Sequence, residues 1–215
     1  MILSVLTNIL KIMQKILHRN GNDNMENKYV FVKQDIDKKF LKLYTAKFIT
    51  NGSPREYVFC SRHNESDLAV VNEEIVPTAV EAFTYIDNKI VMIKEFRSPL
   101  NKYVYSFCAG LIEKGEDYKK AIEREVYEEL GGKIKNIELC QNYPLPMCAG
   151  LTDEANYCAF VELESLDKQH LEKTEDITVE FFEIEELEKK IKNNELPLTF
   201  SGYAAAIMLI NKLKK

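Results

Sequence analysis

Residues 109–132 read AGLIEKGEDYKKAIEREVYEELGG, and four of their acidic side chains stand at spacings that matter. On a helix, Glu125 and Glu129 lie within about 40° of each other, and Glu128 sits beside them. Three carboxylates along one helical edge repel one another unless a cation neutralises them. All-oxygen donors at this density suit Mg²⁺ or Mn²⁺. Tyr118, Ile122, Val126 and Leu130 form the adjoining apolar stripe, so the acidic edge borders a core. Arg124, four residues before Glu128, can pair with it and fix its rotamer. Gly110 and Gly115 bracket the loop ahead of the helix, where a backbone carbonyl could approach a metal. The competing reading is a solvated Glu/Lys/Arg face held by i,i+4 pairs.

The elements that must position these groups follow from the flanking sequence. A helix is expected from about Asp117 to Leu130, stopped by Gly131-Gly132. Ahead of it, strands are expected at residues 77–85 and 89–96, joined at Asp87-Asn88, and after it near 137–143, 156–163 and 178–182. Helices at about 184–193 and 201–214 close the chain. Earlier, residues 29–32, 40–48 and 56–60 read as three antiparallel strands, with Asn51-Gly52 turning the last pair. Residues 1–17 carry apolar side chains at three- and four-residue steps, as an amphipathic helix does. A polar break and a second methionine, Met25, follow. A docking helix, a membrane-surface helix and an upstream extension before a start at Met25 all fit. The stretch is too short to span a membrane and lacks a signal-peptide cleavage site.

The 215 residues carry 29 Lys+Arg against 34 Asp+Glu, a net charge of −5, which argues against a nucleic-acid binder. Five cysteines without C-x-x-C spacing read as reduced, mostly buried thiols of a cytoplasmic protein. Cys108, close to the acidic segment, stands out as a site of possible oxidation. Three scattered His residues give no His-based metal site.

One pattern reverses the solvated-face reading. Gly110, five residues, Glu116, seven residues, then Arg124-Glu125-Val126-Tyr127-Glu128-Glu129-Leu130-Gly131 matches the Nudix box, G-x5-E-x7-R-E-U-x-E-E-x-G-U, where U is apolar. Only the last position departs, with Gly132 in place of an apolar residue. The chain therefore resembles the Nudix hydrolases. The resemblance implies an α+β fold, a mixed β-sheet sandwiched between helices, here with an N-terminal antiparallel β arm. It divides the chain into an extension (residues 1–24), an arm for dimerisation or substrate (25–65) and a Nudix domain (66–215). It implies Glu125, Glu128, Glu129 and the carbonyl of Ala109 as ligands of Mg²⁺ or Mn²⁺. Arg124 becomes the partner that orients the carboxylates, and Glu116 a structural acid.

The likeness extends to the ADP-ribose pyrophosphatase branch of that family. Glu95-Phe96-Arg97 resembles a Q/E-x-R segment whose Arg contacts substrate, and Ser61-Arg62 the S-R that ends the arm strands. Pro146, fifteen residues after Gly131, stands where a proline marks the branch. Residues 149–154 resemble its substrate loop, with Glu154 toward the terminal ribose. Glu175-Asp176-Ile177 resembles the segment whose Glu acts near the attacking water. Ser106 and Cys108 depart from the Glu and Pro usual there. The absence of Trp leaves Tyr29, Phe31, Tyr44 or Phe48 to stack on a base. The resemblance implies metal-dependent hydrolysis of ADP-ribose to AMP and ribose 5-phosphate by a cytoplasmic homodimer. Glu175 is the expected general base, Glu128 and Arg124 assist it, and Arg62, Arg97 and Glu154 bind the small nucleotide-sugar. The alternatives are hydrolysis of another nucleotide (a dinucleotide, a CoA or flavin derivative, a triphosphate) and a non-catalytic nucleotide sensor.

Overall fold

The computed structural model describes residues 27–214. The helix expected over residues 1–17 and the start at Met25 lie outside them. Two compact units are present, one containing residues 27–74 and Gly150–Asp153, the other Ile75–Ala149 and Glu154 onward.

The first unit is an antiparallel meander of β1 (Asn27–Asp37), β2 (Lys42–Thr50) and β3 (Ser53–Ser61), in that order. Asn51 and Gly52 both take positive φ, 51° and 76°, as a two-residue hairpin turn matching strand twist requires. One face of the meander buries Val32, Tyr44, Ala46 and Phe59, with Leu68 ahead of the single-turn helix α1 (Ala69–Asn72). Tyr44 stacks on Phe59 at 5.7 Å. Residues 150–153 run beside β3: Cys60 N donates to Leu151 O (2.8 Å) and Tyr57 Oη to Gly150 O (2.7 Å).

The second unit is built on a mixed sheet ordered β11-β5-β4-β10-β8. Its strands are β4 (Ala79–Ile86), β5 (Lys89–Arg97), β6 (Lys102–Ser106), β7 (Cys108–Leu111), β8 (Gly132–Leu139), β9 (Leu145–Pro146), β10 (Ala155–Leu166) and β11 (Ile177–Glu183). β4 and β10 are parallel, and the other pairings are antiparallel. Side chains alternate between two buried faces. Val80, Ala82, Val91, Ile93, Ala159 and Val161 pack with Ala121, Ile122, Val126 and Leu130 of α2 (Tyr118–Leu130). Phe83, Ile90, Met92 and Cys158 pack on the other face with Leu187 of α3 (Ile184–Lys192) and Ala205, Ala206 and Leu209 of α4 (Phe200–Leu213). Helices thus cover both faces, the α+β sandwich the resemblance implies.

Two details differ from expectation. The strand expected near residue 137 begins at Gly132, because Gly131 (φ 64°) closes α2 and turns the chain within one residue. β6 and β7 were not anticipated. They are one run that hops from β5 to β4 at the fully buried Phe107, so no turn residue marks the break. The hop delivers Ala109 and Gly110 to the edge of α2.

Candidate active site

α2 is placed by its ends and its stripe. The Asp117 side chain accepts from Lys119 N (2.9 Å) and Lys120 N (3.1 Å), capping the N-terminus. The apolar stripe at 122, 126 and 130 fixes the rotation, and that rotation carries Glu125 and Glu129 into the edge of the core. They are 8% and 5% exposed. Burial pushes the Glu129 carboxyl up to about 8, with the charges of Glu125 and Glu95 adding to it. The Ala109 amide donates to Glu129 (3.2 Å) and the Cys108 thiol also bonds to it, both opposing the rise. Glu125 is likewise raised by burial, against the pull of Arg124, with Glu128 and Glu175 adding negative charge. Glu95, Glu125, Glu128, Glu129 and Glu175 therefore share one electrostatic field, though they come from β5, α2 and the loop ahead of β11.

Arg124 is a cation within this field, facing its α2 members. Its Nε and Nη2 take both oxygens of Glu116, each at 3.0 Å, and Nη2 also donates to Leu111 O (2.8 Å). Its Nη1 stands 2.5 Å from Glu125 and 3.3 Å from Glu128. The Glu116 carboxyl is correspondingly held below its ordinary value, chiefly by Arg124. Gly110 leaves room for Glu125: a Cβ at Gly110 would fall inside that carboxylate. Among the described residues no three His, Cys, Asp or Glu side chains already converge in ligating geometry. Arg124 stands against two of the expected ligands instead. The donors are all carboxylate and carbonyl oxygens and carry excess negative charge, the chemistry that fits a hard divalent cation.

Arg97 and Glu95 form a 2.6 Å ion pair, and Ser106 donates to the same Glu95 oxygen (3.0 Å). Ser106, where the branch usually has Glu, thus serves a buried acid reaching in from β5. Glu175 closes a tight turn: its side chain accepts from Glu172 N (2.8 Å), and its own N–H donates to Glu172 O (3.1 Å). Asp176 O accepts from Phe96 N (3.2 Å), tying this turn to β5. Glu154 stands directly before β10, its carbonyl accepting from Met147 N (2.9 Å). Arg62 belongs to the first unit, where Nη1 donates to Phe40 O (3.2 Å). Of the aromatic side chains suggested for stacking, Tyr44 is fully buried, Tyr29 and Phe48 pack edge to face, and Phe31 is 40% exposed.

The cysteines need correction. All five are free, but only Cys108 and Cys158 are buried, while Cys148 is exposed. Cys108 is buried, and burial and the acids around it push its thiol well above the ordinary range, which disfavours the reactive thiolate. Sequence reasoning assigned no role to the carboxylate of Glu95, or to Glu81. Glu81 is 3% exposed on the sheet face opposite α2 and is raised to about 6 by burial, with Ser201 bonding to it and Arg97 nearby. The alternation Ile93, Glu95, Arg97 along β5 was the available signal for Glu95.

The comparisons agree with this architecture. The NUDIX domain family pattern matches residues 76–200. ADP-ribose pyrophosphatase of Bacillus subtilis is 32% identical over 132 residues, 60% of this chain and 70% of that protein. NAD-capped RNA hydrolase NudC of Pseudomonas aeruginosa is 41% identical over 56 residues, covering 25% of this chain and 20% of that one. The crystal structure of an ADP compounds hydrolase superposes with a TM-score of 0.65 at 19% identity, covering 90% of this chain and 97% of that one, a likeness of fold. No helix among the described residues is long and apolar enough to cross a membrane. The chain belongs to the NUDIX family and is a pyrophosphohydrolase resembling ADP-ribose pyrophosphatase.

Proposed function

We propose that this protein hydrolyses the diphosphate linkage of ADP-ribose, or of another ADP-sugar, to AMP and a sugar phosphate, in a reaction that requires Mg²⁺ or Mn²⁺. The observation that carries the reading is the buried pair Glu125 and Glu129, with Glu129 raised to about 8 inside a field of further carboxylates. Such a cluster is costly in the fold and is suited to receiving a cation. The residues to hold it are Glu125, Glu128, Glu129 and the carbonyl of Ala109. A bound divalent ion supplies charge neutralisation of the diphosphate and a lowered pKa for a bound water.

The chain's own groups do the rest. Arg124 stays fixed through Glu116 and Leu111 O, so Glu125 and Glu128 can turn from Nη1 by side-chain rotation alone. Arg97, half exposed beyond Glu95, presents a guanidinium to phosphate oxygens. Glu154 binds the terminal ribose. Glu175 accepts the proton of the attacking water, and the Glu172 N–H aimed at its carboxylate sets its orientation. Likeness to ADP-ribose pyrophosphatase over 132 residues favours the ADP-sugar substrate. The shorter NudC match supports a second reading, a dinucleotide or a capped nucleic-acid end.

The test is a panel of ADP-ribose, NAD⁺, NAD-capped RNA and a nucleoside triphosphate, assayed with Mg²⁺, with Mn²⁺ and with chelator. ADP-ribose turnover abolished by chelator is expected. A triphosphate cleaved with at least tenfold higher kcat/KM rejects the ADP-sugar, and metal-independent binding without turnover establishes the sensor. Glu175→Gln should lower kcat by roughly 10²–10⁴, and extra metal should not restore it.

A further inference from the structure

The last turn of an α-helix leaves backbone carbonyls that need outside donors. In α2 two of those carbonyls belong to Glu128 and Glu129, and these, with the carbonyl of Gly131, take their donors from the segment 167–171 that follows β10. Asp167 N donates to Gly131 O (2.9 Å), Gln169 Nε2 to Glu129 O (2.6 Å), and His170 N to Glu128 O (2.8 Å). The His170 ring lies flat on the Tyr127 ring, with centroids 4.2 Å apart and planes 13° from parallel. Leu171 packs against the core beneath α2. At Gly131 the contact is so close that a Cβ would overlap the carbonyl oxygens of Asp167 and Lys168.

The next residues form the turn that carries Glu175, closed by the paired Glu172–Glu175 bonds. It leaves toward β5 through Asp176, whose carbonyl accepts from Phe96 N and whose side chain accepts from the Tyr103 hydroxyl. The turn is thus pinned at both ends, and its upstream pin is the helix that bears Glu125, Glu128 and Glu129.

We propose that Tyr127, Gln169 and His170 form a clamp that positions the Glu172–Glu175 turn on α2, so that the proton acceptor and the metal-binding carboxylates move as one body. This rests on the reading of Glu175 as the base. The three are positioning residues: the distances and stack above bind the turn to the helix and involve no reacting atom. A polar, half-exposed loop without such a pin would place its carboxylate over a range of positions, and about 1 Å of misplacement slows a reaction severely.

The experiment is a double-mutant cycle in the full chain with Mg²⁺ and the best substrate of the panel. His170→Ala and Gln169→Ala should each lower kcat about tenfold while leaving KM and the metal concentration for half-activation within about twofold. His170→Phe, which keeps a flat ring over Tyr127, should restore kcat to within about twofold of the parent protein. Lys168→Ala, an exposed side chain outside the clamp, should match the parent. Amide hydrogen exchange over residues 171–176 should quicken in His170→Ala and Gln169→Ala and stay slow in His170→Phe. In the Glu175→Gln background His170→Ala should cost nothing further, because both changes remove one function. An equal tenfold loss in that background, or parental kcat in His170→Ala while Glu175→Gln is slow, overturns the clamp alone. Parental kcat in Glu175→Gln overturns the base assignment and the clamp's catalytic purpose with it.

Discussion

Glu129→Gln is the substitution from which stability and activity should part most clearly. The change keeps the side chain's size, and the amide oxygen can still accept from Ala109 N and the Cys108 thiol. What it removes is a carboxyl whose folded pKa is about 8 against an ordinary 4.5. A carboxyl raised on folding leaves stability intact below the unfolded value and withdraws it as pH rises toward the folded one. With these two values the withdrawn stability is about 1 kcal/mol at pH 5, about 3 at pH 7 and about 5 at pH 9. In chelator, then, Glu129→Gln should be more stable than the parent, by a margin that widens from pH 5 to pH 9. Urea unfolding at pH 5, 7 and 9 reads this directly. With Mg²⁺ present the order should narrow or invert, because a ligand that binds only the folded state adds about 2.7 kcal/mol at a hundredfold excess over its Kd. Activity should fall about a hundredfold or more, and high metal should restore part of it. A margin that is flat with pH would refute the buried-charge argument. Full activity at low metal would refute the metal site itself.

Three further outcomes follow from the same geometry. Glu81→Gln removes a buried carboxyl raised to about 6, so the variant should gain about 2 kcal/mol at pH 8 and almost nothing at pH 4, read by urea unfolding at both; an equal gain at both pH values would refute it. Gly110→Ala should leave the melting temperature nearly unchanged, because only the flexible end of Glu125 must shift, yet raise the metal requirement at least about tenfold; a normal metal-activation curve would show that Glu125 does not depend on that space. The arm leaves Phe31, Ile36, Phe40, Leu41 and Val58 between 40% and 60% exposed, so sedimentation at micromolar concentration should show a homodimer formed with a second copy of this chain, and a monomer at all concentrations would reject it.

What could be read from the chain divides along a physical line. α2 was legible because two independent signals coincide: a stripe at 118, 122, 126 and 130, and a Gly131 stop. The acids on it inherit that certainty, since a helix fixes the angle between residues four apart. Glu95 and Glu81 were not legible as site or core residues. In a strand buried on both faces, alternation tells which residues share a face and not which face meets α2. The clamp was hidden for a different reason. Gln169 and His170 sit in a polar stretch with no period, and their partners are backbone carbonyls, which leave no trace in sequence. β6 and β7 escaped because a strand that changes partner at a buried Phe needs no turn residue.

Packing of α2 on the sheet explains why the acidic edge is tolerated at all. Three carboxylates on one turn of α2 would favour a frayed helix, and burying two of them adds a desolvation cost on top of their repulsion. The apolar stripe against β4, β5 and β10 sets the helix's rotation, so the acids reach the core edge because their neighbours fill it. Arg124 then relieves part of the charge without sealing the site. Its two bonds to Glu116 and its bond to Leu111 O hold it from the loop side, and only Nη1 faces Glu125 and Glu128. A lysine at that position would offer one ammonium point charge and could not keep the Glu116 fork while facing the other acids. The fold thus holds a fixed cation beside its carboxylates, while Glu129, the most perturbed of them, is held by the neutral Ala109 amide and Cys108 thiol. Burial holds that carboxyl largely protonated at neutral pH, so a divalent ion bound there would displace its proton.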